Sequence, residues 1–290
     1  MLWMTGTRTV VRIVTDSTGD IPAEIVEQLG IVVVPLHIQI GDETYRDGMG
    51  LAVDRVYHEL VQGQRIPRTS APSPGDFVKV YRELADETDS IISIHLSPGY
   101  SGTFEAASLA GGYVRDKCRV EVVDSNTVSV GLGLIVIAAA RAAREGKSTD
   151  EILDIIRHVV SRTRVFGKVD DFAYLFRGKR FRLTWAMAAL GRVSMALGIK
   201  LLGEAYGGGR LRSPLLVIGQ RMALAGLRRR AGKFPVKEIA IAYSTAPGEA
   251  EMLAKRLEPL VGREHIMVAR LGCVTSTYVG PGTLVMALVY

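Results

Sequence analysis

The sequence predicts an α/β fold of two domains, and three observations carry that prediction. Apolar β-rich segments alternate with helical ones from Val10 to Glu145, the order that a parallel sheet covered on both faces requires. From Thr149 the pattern changes, and further strands and helices follow without repeating the first half. A chain of 290 residues, 48% of them hydrophobic, is long enough for two cores. The expected division is an N-terminal domain of residues 1–164 with a parallel sheet and a C-terminal α/β domain of residues 165–290.

Val10 to Thr15 reads as a strand, and Ile21-Pro22 then starts a helix to Leu29, with Pro in the favoured first turn. Ile31 to Ile40 reads as one buried strand, followed by a tight turn at Gly41-Asp42-Glu43. Helices are expected at Asp54 to Gln62, Pro74 to Ala85, Thr103 to Lys117 and Gly131 to Glu145, with strands at Ile91 to Leu96 and Val120 to Val123. In the second half a helix at Thr149 to Thr163 precedes a strand at Val165 to Val169 and a basic helical segment reaching Gly198. Ile199 to Glu204 and Arg210 to Ile218 are strands of a hairpin through Tyr206-Gly207-Gly208-Gly209. A helix (Gln220 to Gly232), a strand (Glu238 to Tyr243), a helix (Pro247 to Leu260), a strand (His265 to Ala269) and the apolar run Thr283 to Tyr290 complete the chain.

Net charge is +6, concentrated in Arg177, Lys179, Arg180 and Arg182 and in Arg221, Arg228, Arg229 and Arg230. Such groups are either a solvated face or a docking face for an acidic partner. Aromatic content of 7%, without aromatic interleaving among the basic residues, speaks against nucleic acid. Cys118 and Cys273 make neither a disulfide framework nor a zinc motif. The longest apolar run, Val128 to Ala140, is shorter than the roughly 20 residues that span a bilayer, and Met1 to Val10 lacks a signal-peptide plan. A cytoplasmic protein without stable membrane insertion is the expectation.

Two hydroxyl clusters stand at helix entrances. Ile94 to Ala107 carries an apolar strand through Ser97-Pro98-Gly99-Tyr100 into Ser101-Gly102-Thr103, and Arg68-Thr69-Ser70-Ala71-Pro72-Ser73-Pro74 precedes another amphipathic helix. Hydroxyls and backbone N–H groups at a helix start suit a small anionic head group, and ordinary N-capping is the competing explanation for each cluster. Asp16, Ser97 and Asp124 fall at the carboxyl ends of strands, where open α/β sheets place their ligands. Asp16 with Asp20 or Asp124 suggests a metal or phosphoryl site, against which stands the common role of such residues as caps or interdomain hydrogen-bond partners. The chain has no Gly-x-x-x-x-Gly-Lys-[Ser/Thr] stretch, and no metal or cofactor is expected.

Taken in order, these motifs resemble the bacterial DegV family. Val14-Thr15-Asp16-Ser17-Thr18-Gly19-Asp20-Ile21-Pro22 is similar to its opening motif, and Thr69-Ser70-Ala71-Pro72-Ser73, Ser101-Gly102-Thr103, Val123-Asp124-Ser125 and Gly280-Pro281-Gly282 follow in the family's order. The resemblance runs from about Arg12 to Tyr290. It implies two α/β domains of the DegV type with a tunnel for one long-chain fatty acid between and within them, and its carboxylate near the domain interface. It further implies an acyl carrier for a separate fatty acid kinase, which phosphorylates the bound carboxylate, and not an enzyme in its own right. Thr69 and Ser101, with Gly102, match the group holding the carboxylate, and Asp16 and Ser17 line the cleft. Tyr278 departs from the pattern, since the family has histidine two residues before Gly-Pro-Gly. A phenol donates a hydrogen bond but carries no positive charge. Leu175 to Arg182 also departs from the family's glycine-rich pattern.

The physics suits such a ligand. About 14 buried methylenes at ~0.8 kcal/mol each supply on the order of 11 kcal/mol before the costs of ordering, and a buried carboxylate then needs donors more than it needs a countercharge. The rival is a serine hydrolase acting on a lipid or ester. Gly99-Tyr100-Ser101-Gly102-Thr103 falls one glycine short of Gly-x-Ser-x-Gly, and His158 and His265 would have to serve as its base.

Overall fold

The computed structural model describes residues 10–48, 53–62, 67–171, 174–175, 196–206 and 210–290. The β-branched run after Val10 becomes strand β1 (Arg12–Asp16), and a single 3-10 turn (Ser17–Gly19) carries the chain to helix α1 (Ala23–Leu29), which ends on the left-handed Gly30. The segment expected to be one strand from Ile31 to Ile40 is two, β2 (Val32–Val34) and β3 (His37–Ile40), in different sheets. Pro35 lacks the N–H that a continuing ladder needs, and the Leu36 N–H donates instead to Ser17 Oγ at 3.1 Å. β3 turns back through Gly41 (φ 61°) into β4 (Glu43–Arg46). After helix α2 (Val53–Gln62) comes β5 (Arg68–Ser70), which pairs with β3 so that Thr69 lies opposite Ile38.

Helix α3 (Pro74–Ala85) starts where proline and a Ser73–Asp76 capping box place it. Strand β6 (Ser90–His95) leads into α4 (Thr103–Gly112), shorter than the helix expected to Lys117 because Gly111 and Gly112 give the helix its poorest formers at that point. Strand β7 (Arg119–Asp124) completes a parallel four-stranded sheet in the order β2-β1-β6-β7. Helix α5 (Val130–Arg144) holds most of the long apolar run and is buried on nearly every side. Its glycines permit this. A Cβ at Gly133 would fall 2.5 Å from the Gly19 carbonyl oxygen, and one at Gly131 2.5 Å from Val165.

Helix α6 (Thr149–Arg162) passes directly into β8 (Thr163–Val169), the first strand of a second sheet. With β9 (Ile199–Tyr206), β10 (Arg210–Ile218), β11 (Glu238–Tyr243), β12 (Ile266–Arg270) and β13 (Leu284–Val289) it forms six strands in the order β10-β9-β8-β13-β11-β12. Helices Gln220–Ala231 and Pro247–Val261 pack against this sheet. The molecule thus has two α/β domains, and α5 lies between their sheets: Leu132 and Ile135 belong to one core, Val130 and Leu134 to the other. The helix Cys273–Val279 was not legible in the sequence, because Val274, Thr275, Thr277 and Val279 are β-branched residues that favour strand. The basic group Arg177 to Arg182 and the turn Gly207 to Gly209 lie outside the described residues.

Candidate ligand-binding site

An apolar cavity lies between the residues that lead into α5 (Val128 and Ser129), the β8–β9–β10 face and the helix Cys273–Val279. Its walls include Leu96, Val165, Val169, Leu201 and Val285, and its polar side chains are few: Thr18, Ser129, Thr275, Thr283 and the phenols of Tyr100 and Tyr278. A cavity of that composition suits a long apolar ligand with one polar end.

The structure places the residues expected to hold the head group as follows. Thr69, half-buried on β5, is hydrogen-bonded to the Tyr278 hydroxyl at 2.5 Å, so a strand of the N-terminal half meets the helix Cys273–Val279 at the cavity wall. Ser101, also half-buried, follows the cavity-lining Tyr100 and pairs its hydroxyl with Thr103 at 2.9 Å. Capping does not account for these hydroxyls. In the first cluster the cap is Ser73, and in the second it is Gly102, an exposed residue with no side chain to offer. Asp16 and Ser17 do not face this cavity. They line a separate cleft of mixed character, with Asp20, Asp47 and Arg270 beside Ile21, Ile31 and Val33.

Asp16 has its carboxylate engaged. Oδ1 accepts from the Thr18 N–H at 3.0 Å and caps the 3-10 turn, while Oδ2 accepts from the Leu96 N–H at 3.1 Å and lies 3.0 Å from His95 Nδ1. His95 Nε2 lies 2.7 Å from Ser93 Oγ, which also accepts from Tyr81. This is a serine–histidine–carboxylate chain, the arrangement a hydrolase requires, but Ser93 and His95 are wholly buried, with Phe77 packed edge-on against the imidazole at 5.0 Å. No substrate reaches that hydroxyl. His158 and His265, proposed as bases on sequence grounds, are both exposed, on α6 and just before β12.

Asp20 is the interdomain partner that its position suggested. Held in a left-handed conformation (φ 48°), it accepts from the Gly272 N–H at 2.8 Å, from Thr275 and from Ser129. Burial pushes its carboxyl up to about 7 against the lowering effect of these donors, and Asp47 adds repulsion. Asp47 accepts from the Cys273 N–H at 3.1 Å, and burial likewise raises its pKa. Tyr57 and Ser276 share a further hydrogen bond at 2.5 Å. Sequence reading missed most of this set: Thr18, Ser129, Thr275 and Tyr100 lie in motifs it quoted or beside them, but nothing in their spacing shows which side chains converge. The flanking Gly272 and Gly280 were the one signal that a short element lay between them.

Two α/β domains with an apolar cavity that carries hydroxyls along part of its wall make a fold and site that suit a small amphiphile. The chain matches the family described as uncharacterised proteins of the DegV family over residues 10–290, and it belongs to that family. A DegV domain-containing protein of Streptomyces coelicolor is 35% identical over 280 residues, 94% of this chain and 96% of that one. The structure of a DegV family protein from Thermus thermophilus, described for its fatty acid binding, is similar with a TM-score of 0.84 at 29% identity, covering 97% of this chain and 99% of that one. The Fatty Acid Kinase (Fak) B3 protein of Streptococcus pneumoniae, loaded with linoleic acid, shares the fold with a TM-score of 0.82 at 20% identity, covering 97% and 99%. No helix among the described residues is long and apolar enough to cross a membrane.

Proposed function

We propose that this protein binds one long-chain fatty acid and presents its carboxylate to a separate fatty acid kinase for acyl phosphate formation. The observation that carries the reading is the apolar cavity, lined by Tyr278, the hydrogen-bond partner of Thr69, and by Tyr100, which precedes Ser101. The acyl chain lies in the cavity and the carboxylate meets the Thr69, Ser101 and Tyr278 hydroxyls. These are neutral donors, so they satisfy the carboxylate without fixing it in an ion pair. Because Thr69, Ser101 and Tyr278 are only half-buried, the head group stays within reach of a second protein. The fatty acid binding described for the Thermus thermophilus relative supports the ligand class, and the fold shared with the Streptococcus pneumoniae Fatty Acid Kinase (Fak) B3 protein is consistent with the partner.

Thermal denaturation of delipidated protein tests the binding. Palmitate or oleate at saturating concentration is expected to raise Tm, since a ligand that binds only the folded chain stabilises it by mass action. An unchanged Tm with both would refute the reading. Addition of a fatty acid kinase and ATP is expected to convert the bound acid to its acyl phosphate, and no conversion across kinases that accept related carriers would remove the partner from the account.

A further inference from the structure

Strands β8 and β9 face each other with Val165 opposite Ala205, Gly167 opposite Gly203 and Val169 opposite Leu201, and all six residues line the cavity. The two glycines therefore form a trough across the strands, between two rows of branched or methyl-bearing neighbours. Glycine inside a strand marks a place where something approaches the backbone closely. The two halves of the trough differ. A Cβ at Gly167 would meet nothing nearer than Val169 at 4.0 Å, whereas a Cβ at Gly203 would fall 2.3 Å from Leu211 Cδ1. The outer half is thus filled by Leu211, a cavity-lining residue of the edge strand β10, and the inner half is open. None of these seven residues is polar, so this end of the cavity offers nothing to a head group.

Resting on the fatty acid reading, we infer that Leu211, seated on Gly203 at the outer end of the Gly167–Gly203 trough, is the end wall that sets the length of acyl chain the protein holds. The hydrocarbon crosses the strands over Gly167 and its terminal methyl stops against the leucine. Removing the leucine lengthens the space by about the three carbons that the substitution deletes. Each methylene accommodated or refused changes affinity about fourfold.

Displacement of a fluorescent fatty acid by the saturated series from laurate to arachidate reads this directly. Leu211→Ala is expected to move the preferred chain about two to three carbons longer. Gly203→Ala is expected to drive the leucine inward and move the preference shorter. Gly167→Ala, whose Cβ has room, is expected to weaken every chain long enough to cross the trough. Leu216→Ala, an exposed position on the same strand, is expected to leave the profile unchanged. A folded Leu211→Ala variant with the parent's profile would overturn the inference, as would an equal shift in Leu216→Ala. Should Gly203→Ala fail to fold, Leu211→Ala decides alone. A parent that binds no member of the series would instead sink the fatty acid reading itself.

Discussion

The helix Cys273–Val279 and the β8–β9 face wall the same cavity, but of the two only the helix brings hydroxyls to it, Thr275 and Tyr278 beside Val274 and Val279. Along the helix, residue after residue is tied to the N-terminal half: Gly272 and Thr275 to Asp20, Cys273 to Asp47, Ser276 to Tyr57 and Tyr278 to Thr69. Along β8 and β9 the cavity-facing positions are Val165, Gly167, Val169, Leu201, Gly203 and Ala205, with no hydrogen-bonding side chain. Polar ties fix where one wall stands, because a buried donor or acceptor left without its partner is costly. Small and branched apolar residues fix only how much space the other wall leaves. A fatty acid bound as proposed would take its orientation from the first wall and its size from the second.

The sharpest way to break the polar wall is Asp20→Ala. It leaves the Gly272 N–H and the Ser129 and Thr275 hydroxyls without their acceptor, and is expected to destabilise the fold by about 3 kcal/mol or more, measured by urea denaturation at pH 5. A loss below about 0.5 kcal/mol would show that the two halves do not depend on this tie.

The same residue gives stability a pH dependence of defined sign. The unfolded chain releases the Asp20 proton near 3.8 and the folded chain near 7, so between these values the folded state binds more protons. Stability contributed by this group is therefore present at low pH and falls as pH rises through that window, by up to about 1.4 kcal/mol per unit. Asp47, raised in the same direction, adds to the trend. Asp20→Asn is expected to flatten the slope of unfolding free energy between pH 4 and 7. An unaltered slope would assign the pH dependence elsewhere.

The packing of α5 inside the N-terminal domain can be strained without touching the cavity wall. Gly133→Ala sets a methyl 2.5 Å from the Gly19 carbonyl oxygen, where the backbone itself must yield, and is expected to cost about 1–3 kcal/mol in thermal or urea unfolding. A neutral result would mean that α5 moves freely against the turn after β1.

How far these features were legible in the sequence follows the same division. The parallel sheet, α3 with its proline and serine start, and the buried α5 could be read because periodicity and capping are local. Thr69, Ser101 and Tyr278 were legible as motif members, and the structure brings Thr69 to Tyr278 over a separation of 209 residues. Asp16 was placed among the ligand residues because it ends a strand, but its neighbour across the sheet is His95, a pairing that only topology reveals. The break at Pro35 was misread although proline's missing N–H marks it locally, and the helix from Cys273 went unread because its β-branched residues favour strand. The Gly167–Gly203 trough depends on strand register, which no motif records.

Smaller effects are expected at the head group. Thr69→Ala and Ser101→Ala each remove one donor and are expected to weaken fatty acid binding by about 0.5–3 kcal/mol while the fold persists. A double variant binding as tightly as the parent would make these hydroxyls structural only. Tyr278→Phe is expected to weaken binding by about 0.5–1.5 kcal/mol. Tyr278→His should introduce tighter binding on the acid side of an imidazole pKa near 6.5, measured against the parent between pH 6 and 8. Calorimetric titration across that range separates the two behaviours, and a parent affinity equal to that of Tyr278→Phe at every pH would show that the phenol does not touch the ligand.

The cavity is expected to hold a single long-chain fatty acid. Native mass spectrometry of the freshly purified protein, followed by extraction and identification of whatever is released, tests it most directly. The expected result is a bound mass equal to one long-chain fatty acid per chain, lost in a single step and recovered as the free carboxylic acid. Protein at its bare chain mass that takes up neither palmitate nor oleate on incubation would contradict it.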